Sequence, residues 1–340
     1  MDSTRAPRRP TIRAVAERAG VSKSLVSLVL NDSAKVSEPS RQAVLQAIAD
    51  LGYTPNAQAR ALSAERTRNI ALILKDMRYP WFVEAIEGVN AALAAGGLRM
   101  LIGDQRLDLR AGETAVRAFG EMCVDGAILV GSLRKTQALL GLMNQVPTVM
   151  MLGSRPWPEA RADALVTDDA AGIALAMSHL RGLGHERIAH IGVSGEEVGD
   201  ARRAAYESAM RADGLDAQIA VEVADKSEDG GFRAAVRLLT RKNRPTAIVA
   251  YNDMTAIGAL SAAKDLGIDV PGACSITGYD NMDIARTRAI SLTTIDQATL
   301  GVGQRAVAML MERMRAPGNA SAIELVDPTL VARLTTGAAG

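Results

Sequence analysis

Aromatic side chains are scarce in this chain, with three Phe, five Tyr and two Trp among 340 residues. A large core must therefore rest on Ala, Val, Leu, Ile and Met, and hydrophobic residues at 48% supply enough of them. The only cysteines, Cys123 and Cys274, lie far apart, so neither a disulfide framework nor a thiolate metal site is expected. His179, His185 and His190 are the only histidines, and none is paired at the spacing of a helical zinc site. No apolar run approaches the roughly 20 residues of a membrane span. Arginines stand near the N-terminus without the hydrophobic segment that a secretory signal requires. These absences give the expectation of a cytoplasmic protein without cofactor or metal. Catalytic signatures are also missing: there is no Gly-x-Ser-x-Gly elbow and no phosphate loop, and Gly301-Val302-Gly303 lacks the third glycine of a dinucleotide fingerprint. An enzyme is not expected.

The net charge of +1 hides an uneven distribution. Residues 1–68 hold 11 Lys/Arg against 6 Asp/Glu, a surplus of +5, while the remainder holds 28 against 32, a deficit of −4. The basic surplus sits where two short helices and a tight turn are predicted. Ile12, Val15, Ala16 and Ala19 recur at helical spacing behind a capping Thr11, Gly20 stops the helix, and Ser22 can cap the next. Val26, Val29 and Leu30 form an inner face, with Lys23, Ser24, Ser27 and Leu28 pointing away from it. A helix-turn-helix of this kind presents its second helix to the DNA major groove. The alternative is an ordinary helical hairpin at a domain edge. A third helix carries Val44, Leu45, Ile48 and Leu51 as far as Gly52, and Tyr53-Thr54-Pro55-Asn56 follows.

The order of these elements, the Val21-Ser22 turn, the Val26-to-Asn31 run and the stretch from Gly52 to Leu62 resemble the DNA-binding headpiece of the LacI-type repressor family. The resemblance implies DNA contacts from Thr11, Ser22, Lys23, Ser24, Ser27, Leu28, Asn31 and Tyr53. It also implies a hinge helix in which Asn56 and Ala59 approach the minor groove and Leu62 wedges between bases, kinking the duplex. Family members commonly carry Arg where this chain has Leu28 and Thr where it has Leu25. Leu28 either meets a thymine methyl or turns into the headpiece core.

From Asn69 onward, short apolar runs alternate with helical stretches, the pattern of parallel sheets covered by helices on both faces. Strands are predicted at 70–74, 98–102, 126–130, 148–152, 188–192, 219–223, 247–250 and 274–278. Two such series suggest two doubly wound lobes with a cleft, and ligands in such folds bind outside the carboxyl ends of the strands. Tyr79-Pro80-Trp81-Phe82, Arg202-x-x-Ala205-Tyr206, Pro245-to-Asp253 and Ser275-to-Asp280 resemble the effector domain of the same family, which is itself similar to periplasmic sugar-binding proteins. The implied organisation is an all-α headpiece at 1–55, a hinge and linker at 56–68, and an α/β effector domain at 69–340. Lobe 1 would comprise 69–166 and 296–326, and lobe 2 would comprise 167–295 and 327–340.

In the cleft, Tyr79, Trp81, Phe82 and Asp104 are the candidates from lobe 1, with Arg202, Asp253 and Asp280 from lobe 2. Carboxylates and Arg offer forked hydrogen bonds to a polar ligand, and an aromatic offers a stacking face. Arg203 leaves the register of Arg202 open by one residue. Asp253 either lines the cleft or caps the helix that begins there, and Trp81 either lines the cleft or packs in the core. The expectation is a ligand-responsive repressor that reads a pseudo-palindromic operator as a homodimer, with a small effector, most simply a carbohydrate, in the cleft. The competing reading is a transport-type sugar receptor without DNA function.

Overall fold

Thr11 begins helix α1 (Ile12–Ala19) as its N-cap, its hydroxyl accepting the Ala14 amide at 3.3 Å, and Gly20 ends the helix in the left-handed region at φ 68°. Helix α2 (Lys23–Leu30) starts with the Ser22 hydroxyl accepting the Leu25 amide at 3.2 Å. Helix α3 (Glu38–Leu51) carries Pro39 in its first turn, where the missing amide hydrogen is not needed. The three helices close over Val15, Ala16, Val26, Val29, Val44 and Ala47, and Arg18 ties α1 to α3 through Asp50 at 2.9 Å. The computed structural model describes residues 10–30, 33–53, 66–151, 153 and 157–340, and its contacts divide the chain into two units, residues 1–67 and 68–340.

The second unit holds two parallel sheets. Lobe 1 contains β1 (Asn69–Leu74), β2 (Arg99–Asp104), β3 (Gly126–Val130), β4 (Thr148–Met151), β5 (Ala162–Thr167) and, from far along the chain, β11 (Ile323–Val326). Their order is β11-β5-β4-β3-β1-β2. Lobe 2 contains β6 (Ile188–Gly192), β7 (Ala220–Val223), β8 (Ala247–Ala250) and β9 (Ser275–Thr277) in the order β7-β6-β8-β9. Between the lobes run β10 (Thr294–Asp296) and β12 (Thr329–Val331), paired antiparallel. The chain thus passes between lobes after β5, after β10 and through β12.

Lobe 1 is flanked by α4 (Phe82–Ala95), α5 (Gln105–Arg110), α6 (Thr114–Glu121), α7 (Gln137–Gln145) and α13 (Thr299–Arg315). Lobe 2 is flanked by α8 (Asp169–Gly182), α9 (Glu197–Ala212), α10 (Glu228–Leu239) and α11 (Asp253–Asp265), with the short α12 (Asp283–Arg286) beyond β9. Helices α4 and α13 approach so closely that a Cβ on Gly88 would lie 2.1 Å from the Leu300 carbonyl oxygen. That contact returns the late segment to lobe 1. A second tie is the buried pair of Arg313 on α13 with Asp163 in β5, whose Oδ2 lies 3.0 Å from the guanidinium Nε.

The core of lobe 2 contains a fully buried histidine. His190 stacks on Tyr206 with ring centroids 5.3 Å apart, and its Nδ1 lies 2.8 Å from the Val249 carbonyl. Burial pushes its pKa down to about 4. The unfolded chain therefore takes up this proton first, and the neutral imidazole's contribution is whole above pH about 6.5 and lost as pH falls toward 4. Replacing His190 by Gln removes that dependence. The stability gap between wild type and His190→Gln is expected to narrow by about 2 kcal/mol from pH 7 to pH 5, read from urea unfolding at each pH. Comparing the two proteins cancels every other titrating group, and a gap unchanged with pH would contradict a neutral His190.

Candidate functional site

On the headpiece, Lys23 and Ser24 are exposed on α2, Ser27 is half-buried, and Leu28 is 40% exposed. Leu28 therefore does not turn into the headpiece core, whose α2 contribution is Val26 and Val29. Leu25 and Leu30 pack partly buried against that core, as does Tyr53. The Thr11 and Ser22 oxygens accept helix amides, which leaves each hydroxyl proton to donate elsewhere. Asn31, Asn56, Ala59 and Leu62 lie outside the described residues.

Between the lobes lies a cavity of ≈ 240 Å³. Ligand pockets commonly run to about 300–1,000 Å³, so this one suits a single-ring ligand. Lobe 1 lines it with Lys75 and Asp76 beyond β1, with Tyr79, Trp81 and Phe82 at the start of α4, and with the turns at Gly131, Ser132 and Gly153. Lobe 2 contributes Asp169, Glu196, Val198, Arg202, Lys226, Tyr251, Asn252 and Asp280, and Thr167 and Gln297 close it at the crossings.

Arg202, 4% exposed, is the hub of lobe 2's wall. Its Nε donates to Asp169 at 2.7 Å, its Nη1 donates to the Tyr251 carbonyl at 2.6 Å, and Asp280 lies 3.9 Å away. The guanidinium sits 3.5 Å from the centroid of the Tyr279 ring. Burial works against its charge, but Asp169 and its neighbours more than offset this and hold the pKa above the usual arginine value. Arg203, by contrast, points outward to Glu207 at 2.8 Å, so of the two arginines Arg202 is the one that lines the cavity.

Asp280 stands in a backbone conformation with φ 104°. It accepts the Tyr79 hydroxyl at 2.7 Å and the Gln297 side-chain amide at 2.6 Å, and Gln297 in turn accepts the Thr167 hydroxyl at 2.7 Å. Burial raises its pKa to about 6 against the opposing pull of Arg202. Burial and then the Asp280 charge hold the Tyr79 phenol well above its ordinary value. Asn252 donates to the Tyr79 hydroxyl oxygen at 2.5 Å. Tyr79 therefore spans the lobes, as do Lys75 with Glu196 at 2.7 Å and Arg286 with Glu84 at 2.9 Å.

Trp81 both lines the cavity and belongs to the lobe 1 core, edge-to-face with Phe82 at 5.0 Å between centroids. Two expected cleft residues are elsewhere. Asp104 is taken by backbone amides: Oδ1 accepts from Leu107 and Oδ2 from Met77, each at 2.8 Å, so it caps α5 and pins the loop after β1. Asp253 is fully buried beneath the cavity, accepting the Thr294 hydroxyl at 2.5 Å and the Met282 amide at 2.7 Å. Nor does it cap α11, because Asn252 takes that role by accepting the Thr255 amide at 2.9 Å. A carboxylate beside free amides is recruited by them, and neither sequence position reveals that competition.

Sequence reasoning missed Lys75, Asp169, Glu196, Lys226, Tyr251, Asn252 and Gln297. Asn252 is one residue from a residue that was singled out, and Gln297 follows the crossing at Ile295. Lys226 and Glu196 sit in loops without any local signature.

Residues 11–56 match the family described as bacterial regulatory proteins, lacI family, and residues 177–336 match the periplasmic binding protein-like domain. The HTH-type transcriptional repressor PurR of Erwinia tasmaniensis is 33% identical over 331 residues, 95% of this chain and 96% of that protein. The lac repressor dimer, in a crystal structure bound to operator and the anti-inducer ONPF, is 26% identical with a TM-score of 0.86 over 97% of this chain and 100% of that one. The transcriptional regulator CelR in complex with cellobiose is 27% identical with a TM-score of 0.70, over 96% and 100%.

Proposed function

This chain belongs to the lacI family of bacterial regulatory proteins and is a ligand-responsive DNA-binding repressor; within that family we propose that its effector is a small carbohydrate held in the interlobe cavity. The observation that carries the ligand assignment is the network of Arg202, Asp280, Asn252 and Gln297. It sets carboxylate, amide and guanidinium groups around one small volume, beside the aromatic side chains of Tyr79, Trp81 and Phe82. Hydroxyl groups both donate and accept, so a polyol can exchange hydrogen bonds with the donors and the acceptors of such a mixed wall. The sugar complex of CelR lends support.

In this reading the protein acts in the cytoplasm without a catalytic role, and it binds a pseudo-palindromic operator as a homodimer whose two-fold symmetry is matched by two half-sites. Lys23, Ser24, Ser27 and Leu28 face the major groove. The Thr11 and Ser22 hydroxyl protons, with Asn31 and Tyr53, serve phosphates or base edges. Asn56, Ala59 and Leu62 serve the minor groove. Closure of the lobes around the ligand changes operator affinity, and reciprocity requires DNA to change ligand affinity by the same factor.

A thermal-melting screen of the full-length protein tests the ligand assignment. Monosaccharides and their derivatives are expected to raise Tm, while stabilisation by purine bases and not by any carbohydrate would overturn it. For the DNA side, Leu28→Arg is expected to create a guanine preference worth about 1–3 kcal/mol at one position of each half-site. Site selection with both proteins reads this out, and an unchanged preference would place Leu28 away from the base edges.

A further inference from the structure

We propose that the effector is an acidic carbohydrate, a polyol carrying one carboxylate or phosphate group that sits against Lys75 and Lys226. The proposal rests on the carbohydrate reading above and narrows it. The polar groups around the cavity fall into two networks. In one, Arg202 faces two carboxylates, Asp169 and Asp280, and the amides of Asn252 and Gln297 donate to Tyr79 and Asp280, giving a wall of mixed donors and acceptors that matches hydroxyl groups.

The other network has the opposite sign. Lys75 from lobe 1 and Lys226 from lobe 2 both converge on a single carboxylate, Glu196. Asp76, which also lines the cavity, is already held by Arg78 at 2.6 Å and Arg106 at 3.0 Å. Asp76 is thus engaged by arginines that do not line the cavity, and the two cavity lysines share the single carboxylate of Glu196, which leaves one positive charge in excess between them. Glu196 occupies the N-cap position of α9, yet its side chain caps no amide and is committed to the lysines. The lysine side chains are each 32% exposed, so their ammonium groups are neither lost in the core nor free in bulk water. Burial lowers the Lys226 pKa, and the neighbouring Lys75 charge adds to that against the pull of Glu196. An anion placed between the two ammonium groups relieves that repulsion and joins the lobes, since one lysine comes from each.

The test is isothermal titration of the full-length protein with matched sets: neutral aldoses, the corresponding aldonates and uronates, and the sugar phosphates. Acidic members are expected to bind at least about tenfold tighter than their neutral counterparts. Lys226→Met is expected to remove that preference and Lys226→Arg to keep it, which separates lost charge from lost folding. Whether aldonates and uronates or phosphates bind distinguishes the two sources of the anion. Equal or tighter binding of neutral sugars overturns the acidic assignment and leaves the carbohydrate reading standing. Purine binding without any sugar binding overturns both, and binding by no acidic member overturns the present proposal.

Discussion

Replacing Arg202 by methionine is expected to cost the effector unit about 3–5 kcal/mol and to abolish its response to ligand, because the substitution removes one partner of a buried ionic cluster. Asp169 and Asp280 keep only 13% and 7% of their side-chain surface exposed beside this arginine. Without the guanidinium, Asp280 loses the largest influence holding its pKa down, and a group already near 6 takes up a proton at neutral pH. That protonation relieves part of the penalty, while the Tyr251 carbonyl and the Tyr279 ring still lose their cation. Combining Arg202→Met with Asp280→Asn should therefore cost less than the two single changes added together, since residues within one network do not act independently. Urea unfolding of the four proteins measures this coupling. A loss below about 1 kcal/mol in the single variant, the level of an exposed pair, would mean that the cluster is not the centre of the cavity.

Val26→Asp is expected to lower operator affinity at least about a hundredfold while leaving the melting of the effector unit unchanged, because a carboxylate buried without a partner costs several kcal/mol. Val26 is 0% exposed in a three-helix core with six buried side chains among the described residues. A core that small has little stability in reserve. The effector unit is organised around cores of its own, so its transition is expected to persist. Leu28→Ala provides the contrast: a 40% exposed side chain leaves the headpiece folded, and any change it makes to operator binding comes from the DNA contact. Loss of the effector transition in Val26→Asp would contradict the division of the chain between Thr67 and Arg68.

The helices of the headpiece were legible because local chemistry settles them. Thr11, Gly20 and Ser22 act within a few residues of where they stand, and the apolar spacing of Val15, Val26 and Val29 places the core directly. Most strands of the effector unit were equally plain, since strands buried on both faces read as unbroken apolar runs. Strand β5 was missed because Asp163 interrupts its run, and the residue that neutralises it, Arg313, is 150 positions away. Strand β11 was missed for a related reason: Ile323 and Leu325 alternate with Glu324 at the sheet edge and form no apolar block.

The same distinction governs the cavity. Arg202 and Asp280 could be singled out from local sequence, but Asp104 and Asp253 could not be rejected, because the amides that claim them belong to other segments. Lys75, Glu196 and Lys226 acquire meaning only when the crossings bring the two lobes together. Spacing within a segment shows which residues share an element. It does not show which elements share a cavity.

The central claim is best tested by selecting DNA sites from fragmented genomic DNA of the source organism with the purified full-length protein, run in parallel with Val26→Asp. The account predicts enrichment of a pseudo-palindromic site by the wild-type protein alone, with binding that weakens steeply as salt rises and that changes when the ligand found by titration is added. Fragments recovered equally by both proteins, or a recovered site whose binding no cavity ligand alters, would contradict a ligand-responsive repressor.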